Sequence, residues 1–250
     1  MTTVQLIGGG RTPAAFPALY GPLLAAAGAD PVVACVLIDE GEAAAQFAEW
    51  AERLRAVAPC RPVPVAVRIG DTLDAAALDT ADAVLVCGGL TPAYQAALTV
   101  PLRAYLARRP IPYAGFSAGA AIAARRAVVG GWLADGVPLC PEETGEDLEE
   151  LEVRDGLGLV DFAVDVHAAQ WGTLPRLIEA VARGAAERGV AIDEDTVLSI
   201  ADGRAEVRGL GRVHLVGRTA DAVTLCSYRA GERFPLGVGS PGAAPAPAHS

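Results

Sequence analysis

Ile111-Pro112-Tyr113-Ala114-Gly115-Phe116-Ser117-Ala118-Gly119-Ala120-Ala121-Ile122-Ala123-Ala124 decides how the rest of the chain reads. A short apolar run ends at Phe116, a serine flanked by glycines follows, and the alanine-rich segment after it consists of good helix formers. This predicts strand, sharp turn and helix. Small residues at 115 and 119 remove side chains that would collide in such a turn, which lifts the Ser117 hydroxyl to a helix N-terminus where backbone N–H groups favour developing negative charge. In a chain with 28 glycines the same pattern also fits an ordinary Gly-rich turn.

Upstream, the stretch is preceded by similar units. Val4–Ile7 reads as a strand running into Gly8-Gly9-Gly10, with a helix between Ala14 and Ala27. Val32–Ile38 is a continuous apolar run of the kind buried on both faces, and Glu42–Ala56 repeats Phe47, Trp50, Ala51 and Leu54 at helical spacing. Val63–Ile69 and Ala83–Cys87 give two further strands. After Gly88-Gly89, Thr91 as N-cap and Pro92 at the first helical position predict a helix to about Ala107. Alternating strands and helices indicate an α/β fold, a doubly wound, mostly parallel sheet flanked by helices, with ligands beyond the carboxyl ends of its strands. The Gly8–Gly10 run does not make a dinucleotide fingerprint, because Pro13 stands where the third glycine belongs.

Downstream the alternation breaks. Between Glu142 and Asp155 eight acidic residues face one arginine, which predicts a solvated loop or exposed helix face. Gly156–Val160 and Phe162–Val166 resume strand character and end at His167, and Gly172–Arg188 reads as an amphipathic helix. Ala191–Ile200, Ala205–Arg208, Val213–Val216 and Val223–Tyr228 form a C-terminal antiparallel extension. One domain over residues 1–238 and a disordered Pro/Ala-rich tail over 239–250 complete the expected organisation.

Composition narrows the chemistry. A net charge of −10 excludes the basic face that nucleic acid requires. The charge-free stretch Thr12–Ala29 holds three prolines and two glycines and is too poor in large apolar residues to span a bilayer. No basic leader precedes the first strand, so the expected compartment is the cytoplasm. Five scattered cysteines read as buried thiols, and histidine spacing suits no metal site. Lysine and asparagine are absent, which removes Schiff-base chemistry, a P-loop lysine and an asparagine oxyanion donor. No cofactor is called for.

A serine nucleophile needs a base and a carboxylate to orient it. His249 lies in the tail and His214 inside a strand, whereas His167 follows a strand end as Ser117 does. Spacing leaves Asp165, Asp193, Glu194 and Asp195 open as the carboxylate.

These residues together resemble the dipeptidase E and cyanophycinase family of serine peptidases, whose fold is similar to class I glutamine amidotransferases. The resemblance runs from about Val4 to Val216 and rests on Phe116-Ser-Ala-Gly-Ala120, Ala81-Asp82-Ala-Val-Leu-Val-Cys-Gly88-Gly89, Gly156-Leu-Gly-Leu-Val160, Val164-Asp165-Val166-His167, Arg176-Leu177 and Ile192-Asp193-Glu194-Asp195-Thr196. It implies a triad of Ser117, His167 and Glu194, an oxyanion site at Gly88, Gly89 and Ala118, and a small peptide or amide as substrate. Leu90, Thr91, Asp165, Gln170, Trp171 and Arg176 then become candidate substrate contacts; at Arg176 an exposed helix position is the simpler reading.

The departures bear on the substrate. Leu90 stands where the family usually carries Asn or Asp, and Val166, Trp171 and Thr173 stand where cyanophycinases usually carry Gln and two arginines. The expected activity is hydrolysis of a peptide or amide bond through an acyl-enzyme, in a pocket diverged from aspartyl peptides. Alternatives are an amide-cleaving or acyl-transfer step of a biosynthetic pathway and a non-catalytic binding member; a homodimer is compatible with either.

Overall fold

The computed structural model describes residues 3–236. The expected tail over 239–250, with His249, lies outside the described residues. The first half follows the strand–helix alternation: β1 (Val4–Ile7), α1 (Phe16–Ala27), β2 (Val32–Asp39), α2 (Ala43–Arg55), β3 (Arg61–Arg68), β4 (Ala83–Val86), α3 (Thr91–Arg108), β5 (Tyr113–Phe116) and α4 (Ala118–Ala123). Short strands follow, β6 (Arg126–Gly130), β7 (Leu133–Ala134), β8 (Val137–Pro138) and β9 (Glu152–Asp155). The rest comprises β10 (Ala163–Val166), α5 (Leu174–Ala182), β11 (Arg188–Ile192), β12 (Thr196–Ala201), β13 (Arg204–Gly209), β14 (Arg212–Arg218), β15 (Val223–Arg229) and β16 (Arg233–Pro235).

The main sheet has the order β16-β13-β12-β1-β5-β4-β2-β3. Its strands from β1 to β3 pair in parallel, while β12, β13 and β16 add an antiparallel edge. Every residue of β1, β4 and β5 is buried, as unbroken apolar runs covered on both faces must be. Successive side chains alternate between the faces. Leu6, Val36 and Val84 pack with Tyr94, Leu98 and Leu102 of α3. Ile7, Val33 and Leu85 pack with Leu19 and Leu23 of α1 and with Trp50 and Leu54 of α2.

The antiparallel extension divides between two sheets. β14 and β15 leave the main sheet and pair with β10 and β11, in the order β10-β11-β14-β15, under Leu177 and Val181 of α5. The expected segment Ala191–Ile200 is accordingly cut in two: β11 ends at Ile192 in the second sheet, β12 starts at Thr196 in the main one, and residues 193–195 cross between them.

Other elements shift for local reasons. Gly156–Val160 is a loop rather than a strand, because its N–H groups bond the last carbonyls of the short α4: Leu157 to Ile122 at 2.7 Å and Leu159 to Ala123 at 2.9 Å. The helix expected over Gly172–Arg188 spans only Leu174–Ala182; Gly184, at φ 75°, turns the chain, and Arg188 already belongs to β11. α3 begins at Thr91 itself, with Leu90 in the cap position. Among the described residues no helix is long and apolar enough to cross a membrane. All five cysteines are free and four are buried; burial pushes the Cys35 thiol up to about 12, so it is inert packing.

Candidate active site

Ser117 sits between β5 and α4 at φ 50° and ψ −110°, a conformation that an L-residue adopts only when its surroundings enforce it. The enforcement comes from the two glycines beside it. A Cβ on Gly115 would lie 2.2 Å from the Gly119 carbonyl oxygen, and one on Gly119 would lie 2.3 Å from that of Val86. Tyr113, buried in β5, clamps the turn by donating its hydroxyl to the Gly119 carbonyl at 2.7 Å. Ser117 N–H reaches back to the Ile7 carbonyl of β1 at 2.9 Å.

His167 arrives from the other sheet, one residue beyond β10, and is also held at positive φ, 56°. Its N–H donates to the Gly8 carbonyl at 2.9 Å, so the end of β1 docks the end of β10. The Gly8-Gly9-Gly10 run finds its purpose here: a Cβ on Gly9 would fall 2.2 Å from His167 Cε1, and one on Gly10 would fall 2.3 Å from an Asp195 carboxylate oxygen. Sequence reading missed this use of the run; its signal was three glycines without a phosphate fingerprint.

The side chains form a relay. Ser117 Oγ lies 2.8 Å from His167 Nε2, and His167 Nδ1 lies 2.7 Å from Glu194 Oε1. A carboxylate only accepts, so the Nδ1 proton points to Glu194 and Nε2 is left to accept from the serine hydroxyl. Burial lowers the histidine pKa, while the hydrogen bond and charge of Glu194 pull it back up. Ser117 and His167 are 7% and 5% exposed, enough to open onto a cavity while shielded from bulk water. Trp171 stacks on the imidazole, ring centroids 3.8 Å apart and planes 7° apart.

The four carboxylates left open by spacing have separate partners. Glu194 meets His167; Asp165 takes Arg176. Asp195 accepts from the Thr12 N–H and hydroxyl, and Asp193 accepts from Ala169 and Arg212 N–H groups. Glu194 stands in the crossing between the two sheets, and Gln170 Oε1 steadies it by accepting its N–H at 2.9 Å.

Ser117, His167 and Glu194 share one cavity of about 1200 Å³ with Gly88, Gly89, Leu90 and Trp171. Gly88 abuts the serine: a Cβ there would be 3.1 Å from that of Ser117. Ala118 opens α4, and the first N–H groups of a helix lack partners within it. Four expected substrate contacts lie elsewhere. Gln170 serves Glu194, and Thr91 is buried with its N–H donated to Glu146 at 2.9 Å. Arg176, expected exposed, is 4% exposed and forms a two-pronged pair with Asp165, at 2.9 and 2.8 Å. Burial opposes its charge, but Asp165 more than offsets this and raises the guanidinium pKa.

Arg176 also donates to the carbonyls of Gly131 and Thr144, which anchors the acidic segment as a wall of the cavity. That segment is the solvated loop expected, with Glu142, Glu143, Asp147 and Glu149 exposed, and these side chains together with the half-buried Glu146 also line the site. Trp132 and Trp50 also line it. Among the described residues no cluster of three or more His, Cys, Asp or Glu side chains could hold a metal ion.

A family model for peptidase family S51 matches residues 67–208, more than half of the chain and a span that includes the serine, histidine and glutamate. The chain belongs to peptidase family S51. This is the dipeptidase E and cyanophycinase family that the motifs resemble. A solved peptidase from an acI-B1 Actinobacterium aligns with TM-score 0.69 over 94% of this chain and 97% of that one, at 17% identity. At that identity the likeness carries the fold alone, a large, mostly parallel sheet with antiparallel C-terminal strands. No curated protein matches the chain.

Proposed function

We propose that this S51 peptidase is a serine hydrolase that cleaves a small peptide or amide through an acyl-enzyme, with Ser117 as nucleophile, His167 as general base and Glu194 as its orienting carboxylate. The observation that carries the reading is the unbroken relay from Ser117 Oγ through His167 to Glu194, at 2.8 and 2.7 Å, on one cavity. His167 Nε2 takes the hydroxyl proton as Ser117 Oγ attacks the carbonyl. The oxyanion is received by backbone N–H groups of the Gly88-Gly89 loop and Ala118. The protonated imidazole, stabilised by Glu194, gives its proton to the leaving amine; water then repeats the cycle on the ester and releases the acid.

The pocket is diverged from aspartyl peptides, because Arg176 is committed to Asp165, and Leu90, Val166, Trp171 and Thr173 replace the family's usual Asn or Asp, Gln and two arginines. The participation of both sheets in one relay supports residues 1–238 acting as a single hydrolytic domain. A fluorophosphonate probe tests the mechanism: it should label Ser117 in the native protein and leave Ser117→Ala unlabelled. Peptide or amide hydrolysis that survives in Ser117→Ala would overturn it.

A further inference from the structure

We propose that the crevice selects substrates carrying a cation, a protonated amine or a guanidinium, beside the scissile amide, and that Glu146 sets this preference. The inference rests on the hydrolase reading above and names the substrate class of that same site.

The first support is an anion position already filled. α3 has 18 residues and begins directly after Gly88-Gly89-Leu90, so its N-terminus, which favours negative charge, lies at the loop that abuts Ser117. An acidic substrate would find its natural berth there. The chain supplies that anion itself, since Glu146 Oε2 accepts the Thr91 N–H at 2.9 Å. A substrate carboxylate therefore meets an occupied donor and a like charge.

Secondly, Glu146 is built in. It and Asp147 are held at φ 58° and 60°. Gly131 N–H donates to the Gly145 carbonyl at 2.8 Å, Arg176 holds the Thr144 carbonyl at 2.7 Å, and a Cβ on Gly130 would lie 2.8 Å from that of Glu146. Thr91 is three residue steps from Gly88, about 11 Å of chain at most, so the carboxylate stands within reach of a long side chain of the bound substrate.

Finally, the surrounding field has one sign. Among the described residues nine carboxylate side chains line the cavity against the guanidinium groups of Arg11 and Arg53. Arg53 is itself paired with Glu49 at 2.8 Å. Trp132 and Trp171 offer aromatic faces to a cation or to the apolar stem that carries it.

Protection of Ser117 from a fluorophosphonate tests the inference without requiring turnover. The ligands are the N-acetyl amides of arginine, leucine and aspartate, matched in backbone, and the readout is the concentration that halves the labelling rate. In the native protein the arginine derivative should protect at about tenfold lower concentration than the leucine one, and the aspartate derivative should protect least. Glu146→Gln keeps the size and an acceptor for Thr91 N–H; it should shrink the arginine advantage to about twofold, with an unchanged melting temperature as control. Equal protection by all three, better protection by aspartate, or an arginine advantage that persists in Glu146→Gln would overturn the assignment. A native protein whose Ser117 takes no label would instead remove the hydrolase reading, and this inference with it.

Discussion

Among the described residues two serine–histidine–carboxylate arrangements occur, and they differ in everything around the three side chains. Ser117, His167 and Glu194 meet at strand ends on a cavity. Ser227, His214 and Asp193 also meet: His214 Nδ1 lies 2.8 Å from Ser227 Oγ, and its Nε2 lies 3.4 Å from Asp193 Oδ1. In the second set, however, His214 and Ser227 sit in regular strands, directly opposite each other in the β14–β15 pair. Ser227 is exposed, faces the imidazole from the Nδ1 side, and lies on extended backbone that runs on to Arg229 rather than turning into a helix. Asp193 is spent on the Ala169 and Arg212 N–H groups. Residue type and hydrogen-bond distance are thus shared. The differences are the strained elbow, the nearby N–H donors and the cavity, which give a developing oxyanion somewhere to go.

Substitutions test that contrast, beginning with the largest effect. Ser117→Ala should lower kcat by at least about 10⁴-fold, measured on any amide the enzyme hydrolyses. Glu194→Gln should cost roughly 10²- to 10⁴-fold, because the amide cannot stabilise the imidazolium as a carboxylate does. The same variant sharpens the pH dependence. Burial lowers the His167 pKa, so the acid limb of kcat/KM should fall below the ordinary histidine value of 6.5, and removal of Glu194, which raises it, should move the limb lower still. The sign for stability follows: with the folded pKa depressed, the contribution of neutral His167 is fully present above pH 6.5 and is lost as the pH falls through the folded value.

Arg176→Leu should leave Asp165 charged and buried without its partner and destabilise by about 3–5 kcal/mol in denaturant titration. Asp193→Ala, which strands two backbone N–H groups, should cost about 1–3 kcal/mol. The smallest effect belongs to Ser227→Ala: a stability change under about 1 kcal/mol and unaltered kcat. A tenfold loss of activity in Ser227→Ala would break the contrast between the two arrangements.

The sequence made the first half of the fold legible because parallel strands buried on both faces are unbroken apolar runs, as at Val32–Asp39, and their helices carry a separate period. Ser117 was readable because the turn requires glycine two positions before and after it, at 115 and 119. Residues set by tertiary contact were harder to see. Whether Ala191 and Thr196 share a strand depends on which sheet each joins, and their side-chain pattern does not encode that choice. Arg176 read as exposed because charge on a helix usually is, and its burial is made tolerable by Asp165, eleven positions earlier, and by the Gly131 and Thr144 carbonyls. Glu146 was one acid in a run of eight, and its contact with Thr91 spans 55 positions.

The crossing at residues 193–195 has a consequence for how the protein fails. Ser117 belongs to the main sheet, His167 to the second, and Glu194 to the strap between them, with the Gly8 carbonyl and Gly10 as the latch. The geometry of the proposed relay is therefore a gauge of whether the two sheets are docked. Sliding one against the other would switch the protein off while each sheet stayed folded, so in a denaturant series activity should disappear before far-ultraviolet circular dichroism does.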